Sequence, residues 1–170
     1  MTTILVAAEA KWVRDQVRSA FVGPGQEVVE VTRGQDVRDT FAAIEPDLVI
    51  LDLQIGNMGA AAVCRDIREE EGAGRLPWRT PVIFLLDRVA DVFIARRADA
   101  DAWLPKPVPS RALRKTVQIL VRGEHWTPDA VGLVGTAESP LEIEGSAAEG
   151  VGGDSEALRT GSPAPDAPPA

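Results

Sequence analysis

Apolar runs of two kinds alternate along the first 122 residues. "TILVAA" (3–8) is a short β-branched run and predicts a buried strand. Trp12, Val13, Val17, Ala20 and Phe21 then follow helical spacing, stopped by "GPG" at 23–25. "EVVEV" (27–31) predicts a second strand, and Val37, Phe41 and Ile44 a second helix that stops at Pro46. "DLVILDL" (47–53) is apolar on both faces, which predicts a central strand covered on both sides. Ala60, Val63, Cys64 and Ile67 form the third helical stripe. After the polar stretch "EEEGAGRLPWRT", "PVIFLL" (81–86) predicts another doubly buried strand. "ADVFIARRA" (90–98) predicts a helix with Val92, Phe93 and Ile94 inward. "AWL" (102–104) predicts a short strand, and Ser110 opens a last helix carrying Leu113, Val117, Leu120 and Val121.

Five βα units in succession predict an α/β fold, a doubly wound parallel sheet with helices on both faces. Right-handed crossovers place any ligand site at the carboxyl ends of the strands, where the strand order reverses. The pattern ends at Arg122. Residues 123–170 are rich in Gly, Ala, Pro, Ser and acids and lack sustained periodicity. Such a segment cannot bury enough apolar surface to offset ordering its backbone. The expected organisation is one domain over 1–122 and a mostly disordered tail over 123–170, with truncation after about residue 128 leaving thermal stability nearly unchanged. Within the tail, Trp126 is the residue suited to pack back on the domain, and Leu141 and Ile143 mark a short sticky segment.

Charge sharpens this division. The formal net charge is -8, yet residues 1–122 carry 17 acidic and 17 basic side chains, and the acidity belongs to the tail, whose one basic residue is Arg159. Neither part offers the basic stripe that nucleic-acid binding requires. The run Ile4–Ala8 is too short for a signal peptide and lacks a basic flank, and no run approaches membrane-spanning length. A single cysteine, Cys64, rules out an internal disulfide. The expected setting is cytoplasmic, without nucleic-acid or membrane partners.

Asp52 is the one carboxylate inside the apolar run 48–53, and a lone buried carboxylate is costly without a partner or a task. It stands at the carboxyl end of the central strand. The first strand runs into "AAEA", giving Glu9, and the fifth into "LPKP", giving Lys106. Two carboxylates and a lysine at neighbouring strand ends suit a divalent cation and a phosphoryl group. Carboxylate oxygens are hard ligands for Mg²⁺, and an ammonium offsets phosphoryl charge.

The order of these motifs over about residues 3–122 resembles the receiver domain of two-component response regulators. "PDLVILDL" with "GNMG" matches the phosphoacceptor strand and loop, "TPVIFLL" the fourth strand, and "ADADAWLPKP" the run into the lysine and its proline. The resemblance implies a flavodoxin-like (βα)5 fold with strand order 2-1-3-4-5. It implies that Asp52 takes a phosphoryl group from a histidine kinase or phosphotransfer protein, and that Lys106 contacts that group. Mg²⁺ would lie on Asp52, Glu9 and the backbone carbonyl of Gln54, and the Lys106–Pro107 bond would be cis. A non-enzymatic signalling module is implied, acting on an output protein, or on a second copy of itself, through the face formed by its fourth helix, fifth strand and fifth helix.

Four departures qualify that expectation. Ala8 stands where the family has the first of two adjacent acids, which weakens the Mg²⁺ site. Leu86 replaces the hydroxyl residue that ends the fourth strand, Trp103 the Tyr or Phe of the fifth, and Asp99 a glycine before it. Leu86 and Trp103 are therefore altered switch positions, and the rival within the family is a pseudo-receiver that binds its partner constitutively, with Trp103 as anchor. An aspartyl-phosphate phosphotransferase or phosphatase would carry a second aspartate where Gln54 stands. A flavodoxin-like cofactor binder would need a phosphate-cradling loop where "AAEAKW" stands. The plain alternatives are an Asp52–Lys106 pair that is purely structural and a solvated Glu9 at a helix start. Cys64, Trp12 and Trp78 read as packing residues, His125 has no catalytic partner, and "EEE" (69–71) reads as a solvated helix end.

Overall fold

The computed structural model describes residues 1–133 except Trp78. Five strands, β1 (Thr2–Ala7), β2 (Gln26–Val31), β3 (Leu48–Asp52), β4 (Val82–Leu86) and β5 (Ala102–Pro105), form one sheet in the order β2-β1-β3-β4-β5, and every pairing is parallel. Helices α1 (Lys11–Ala20), α2 (Val37–Ile44), α3 (Ala60–Gly72), α4 (Val92–Arg97) and α5 (Ser110–Val121) provide the crossovers. The apolar runs that define β3 and β4 are buried at every residue, as their position between other strands and under helices on both faces requires.

Strand alternation divides the core into two layers. Ile4, Val6, Leu48, Ile50, Ile83 and Leu85 face α1 and α5, where Val13, Val17, Leu113 and Val117 meet them. Leu5, Val49, Leu51, Val82, Phe84 and Leu86 face α2, α3 and α4 and pack on Phe41, Val63, Ile67 and Ala95. Cys64 belongs to this second layer, and burial pushes its thiol up to about 12, so it is a neutral packing group at physiological pH.

Three details differ from the sequence pattern. Phe93 is 58% exposed, because three consecutive helical residues cannot share one face; Ala95 and Ala98 take the inner side of α4 instead. Glu71 is not a solvated helix end: it is buried, with its carboxylate bonded to Arg68 and to the Thr80 N–H. The packed chain also continues past residue 122. Trp126 is 4% exposed, its Nε1 donates to Thr116 Oγ1 at 3.1 Å, and its ring meets Trp103 edge-on at 4.9 Å between centroids. The sequence singles out Trp126 for this packing, but the periodicity ends at residue 122 because one aromatic, without periodicity around it, suffices to cap the sheet edge at β5. Residues 134–170, with Leu141 and Ile143, and Trp78 lie outside the described residues.

Candidate functional site

The carboxyl ends of β1, β3, β4 and β5 bring together Glu9, Asp52, Asp87 and Lys106. Asp52 is the last residue of β3 and is 2% exposed. Its Oδ1 accepts Lys106 Nζ at 2.6 Å and the Gln54 N–H at 3.3 Å. The ammonium reaches Asp52 because β5 runs on beside β4, with the Lys106 N–H donating to the Leu86 carbonyl at 2.7 Å, and the Lys106–Pro107 bond is cis, as the sequence predicts. Proline is the residue at which a cis bond is accessible.

Asp87, immediately after β4, is a site residue that motif matching overlooks. Its Oδ1 lies 2.9 Å from Lys106 Nζ. The strand-end position that singles out Glu9 and Lys106 applies equally to "FLLD". The Lys106 side chain is 6% exposed and the Asp87 side chain 36%. Burial pulls the Lys106 pKa down, but the hydrogen bonds and charges of Asp52 and Asp87 outweigh it, so the net shift is upward. The stability this cation contributes is therefore fully present below its ordinary value of 10.5 and is lost as pH rises through the higher folded value.

Glu9 is exposed at the crevice rim. Its carboxylate lies over Gly56 of the loop after β3, so close that a Cβ at Gly56 would clash with Glu9 Oε2. Arg14 of α1 fixes the end of β1 by donating through Nη1 to the Ala8 and Glu9 carbonyls at 2.7 and 2.6 Å. Trp12, in the first turn of α1, is 55% exposed, and its ring centroid is 5.8 Å from Lys106 Nζ. It is thus a wall of the crevice instead of a core packing residue.

The two altered switch positions are both packed. Leu86 is fully buried in the layer facing α3 and α4, and Ala8 is fully buried in the layer facing α1 and α5. Trp103 is half-buried between Trp126 and the Arg96 guanidinium, whose Cζ is 5.1 Å from the ring centroid. Asp99 adopts φ 61°, the left-handed region that explains why glycine suits this place and why a short polar side chain is tolerated.

Among the described residues, no three carboxylate, histidine or cysteine side chains converge into a ready-made metal cluster. The donor chemistry still suits Mg²⁺, which is commonly held by one or two carboxylates and retains several waters. Asp52 and Glu9 are the two carboxylates of the predicted ligand set.

The sheet order and this strand-end crevice are those of a known family. Its model, the response regulator receiver domain, matches residues 4–118. The chain belongs to that family. Among its relatives, the receiver is 30% identical over 143 residues to the KDP operon transcriptional regulatory protein KdpE of Escherichia coli, covering 83% of this chain and 57% of the relative. The chain spans about half the length of the curated relatives it matches. Among solved structures, it is similar to a response regulator from Chloroflexus aurantiacus, with a TM-score of 0.64, 19% identity, and 71% of this chain and 98% of that one covered. It is also similar to the receiver domain of sensor histidine kinase PA1611 from Pseudomonas aeruginosa, which carries a magnesium ion in its active-site cleft. That match has a TM-score of 0.59, 20% identity, and 71% and 98% coverage. No helix among the described residues is long and apolar enough to cross a membrane.

Proposed function

We propose that this receiver accepts a phosphoryl group on Asp52 from the phosphohistidine of a histidine kinase or phosphotransfer protein in the cytoplasm, and signals through protein contacts. The observation that carries the proposal is the buried Asp52–Lys106 pair, 2.6 Å long, at the strand-end crevice. A carboxylate oxygen of Asp52 attacks phosphorus, an O–P bond forms, the P–N bond breaks, and the leaving imidazole retains the electron pair and takes a proton. The Lys106 ammonium opposes the charge gathered on the phosphoryl oxygens, which is positioned electrostatic stabilisation in a water-poor site. Asp52, Glu9 and the Gln54 carbonyl would hold Mg²⁺, which supplies further positive charge to the phosphoryl oxygens when bound.

Intact mass after treatment with a small phosphodonor over an Mg²⁺ series tests this. The wild-type chain is expected to gain one phosphoryl mass in an Mg²⁺-dependent way. Glu9→Ala is expected to lose that dependence, because Ala8 supplies no second acid on β1. Labelling of Glu9→Ala with unchanged Mg²⁺ dependence would contradict the proposed ligand set.

Leu86 favours a second reading for the output step. It has no hydroxyl to draw toward a phosphoryl oxygen, and it is fully buried. A modification shifts a conformational equilibrium only by its differential interaction with the two states. The surface of α4, β5 and α5 then stands in one conformation and binds its output partner, or a second copy of the chain, with or without the phosphoryl group. Amide hydrogen exchange over residues 89–105 is expected to be the same before and after labelling. A clear change there on labelling would show a working switch.

A further inference from the structure

We propose that Asp87 is a built-in competitor for Lys106, a positioning residue that restrains phosphoryl transfer to Asp52. The inference rests on the phosphoacceptor reading above. An ammonium has three donors and no acceptor. Lys106 directs one at Asp52 Oδ1, 2.6 Å away, and one at Asp87 Oδ1, 2.9 Å away. Its remaining side faces the Trp12 ring, with the centroid at 5.8 Å. The side chain is 6% exposed, so water does not provide the exchange of partners open to a surface lysine.

Two carboxylates thus share one cation before any phosphoryl group arrives. The pair of aspartates with Lys106 already carries a net negative charge, and Glu9 at the rim adds another. A phosphoryl group brings further negative charge and strong acceptor oxygens, and beside an unshared carboxylate it meets like-charge repulsion. Its oxygens gain the full charge of Lys106 only when Asp87 lets go, because the third donor faces the Trp12 ring and the other two are held by carboxylates. Asp87 is able to do so, being 36% exposed and reaching solvent when released. The buried Asp52 has no such freedom. Asp87 therefore sets a threshold: a donor must deliver enough interaction to displace it, and removing its charge lowers that threshold.

A metal-ligand role for Asp87, replacing the acid absent at Ala8, predicts the opposite sign. Asp87 is held on the ammonium, and no cluster of three such ligands is assembled among the described residues. The same experiment separates the two.

The full chain is treated with acetyl phosphate and Mg²⁺, and the initial rate of labelling is followed by intact mass for wild type, Asp87→Asn, Asp87→Ala and Asp87→Glu. The expected result is a rise of at least tenfold in Asp87→Asn and Asp87→Ala, with Asp87→Glu near wild type. Combining Asp52→Asn with Asp87→Ala is expected to abolish the gain. Wild-type rates in the Asn and Ala variants would overturn the competitor while leaving the acceptor reading in place. Slower labelling would overturn it in favour of a ligand role. No labelling in any variant, at folded circular dichroism, would end both readings.

Discussion

Replacing Arg68 by alanine is expected to lower the unfolding free energy by about 3–5 kcal/mol, the cost of stranding a buried carboxylate without its counter-charge. Arg68 Nη1 donates to both Glu71 oxygens, at 3.1 and 2.9 Å, and to the Thr80 carbonyl at 2.9 Å. Its Nη2 donates to Asp101 Oδ2 at 2.7 Å. Glu71 and Asp101 in turn accept the Thr80 and Val82 N–H groups. One guanidinium therefore ties the end of α3 to the start of β4 and to the turn before β5. The Glu71 side chain is 1% exposed, so removal of Arg68 leaves it only a backbone donor.

Urea unfolding of Arg68→Ala measures the loss, and the double variant Arg68→Met with Glu71→Gln is expected to recover much of it, since the buried Glu71 charge is gone and Asp101 keeps Arg79 and the Val82 N–H as partners. A loss below about 1 kcal/mol would mean that the pair behaves as a surface ion pair. The hydrogen bond from Arg79 holds Asp99 below the ordinary carboxylate value of 3.8. That contribution is present above pH 3.8 and is lost as pH falls through the lower folded value.

Trp126→Ala is expected to cost about 3 kcal/mol, at the lower end for a buried tryptophan because its site lies at the domain edge. The substitution removes the cover over α5, the edge-on contact with Trp103 and the donor to Thr116. Thr116 is itself fully buried, so its hydroxyl loses a partner that water does not replace without opening the edge. Chain termination after residue 122 should give a similar loss, whereas termination after 128 keeps Trp126 and should leave the melting temperature nearly unchanged. Equal stability of the two truncated chains would show that Trp126 docks without contributing.

Most of the fold was legible because each strand is bounded by turn residues and the central pair is apolar on both faces. Position at the end of such a strand was enough to single out Asp52 and Lys106. Other features depend on contacts that periodicity does not encode. Glu71 reads as solvent-facing in a run of three acids until Arg68 is seen beneath it. Phe93 reads as inward because it is apolar, although Ala95 occupies the inner face of α4. Trp126 could be picked out as the one large aromatic of the tail, but without periodicity around it the domain boundary was drawn at residue 122, short of the packed chain. Asp87 stands one residue beyond β4, and strand position alone does not show that it shares the Lys106 ammonium with Asp52.

The claim on which the account depends is that Asp52 is the residue that takes the phosphoryl group. An aspartyl phosphate is an acyl phosphate, and borohydride reduces it to homoserine, marking the acceptor permanently. Peptide mass mapping after phosphodonor treatment and borohydride reduction is expected to find homoserine at position 52, and nowhere else, with none in a control lacking donor. Homoserine at position 87, the corresponding five-carbon alcohol 2-amino-5-hydroxypentanoic acid at position 9, or no reduced residue at all from a folded chain in which Asp87→Ala is also unlabelled, would contradict the account.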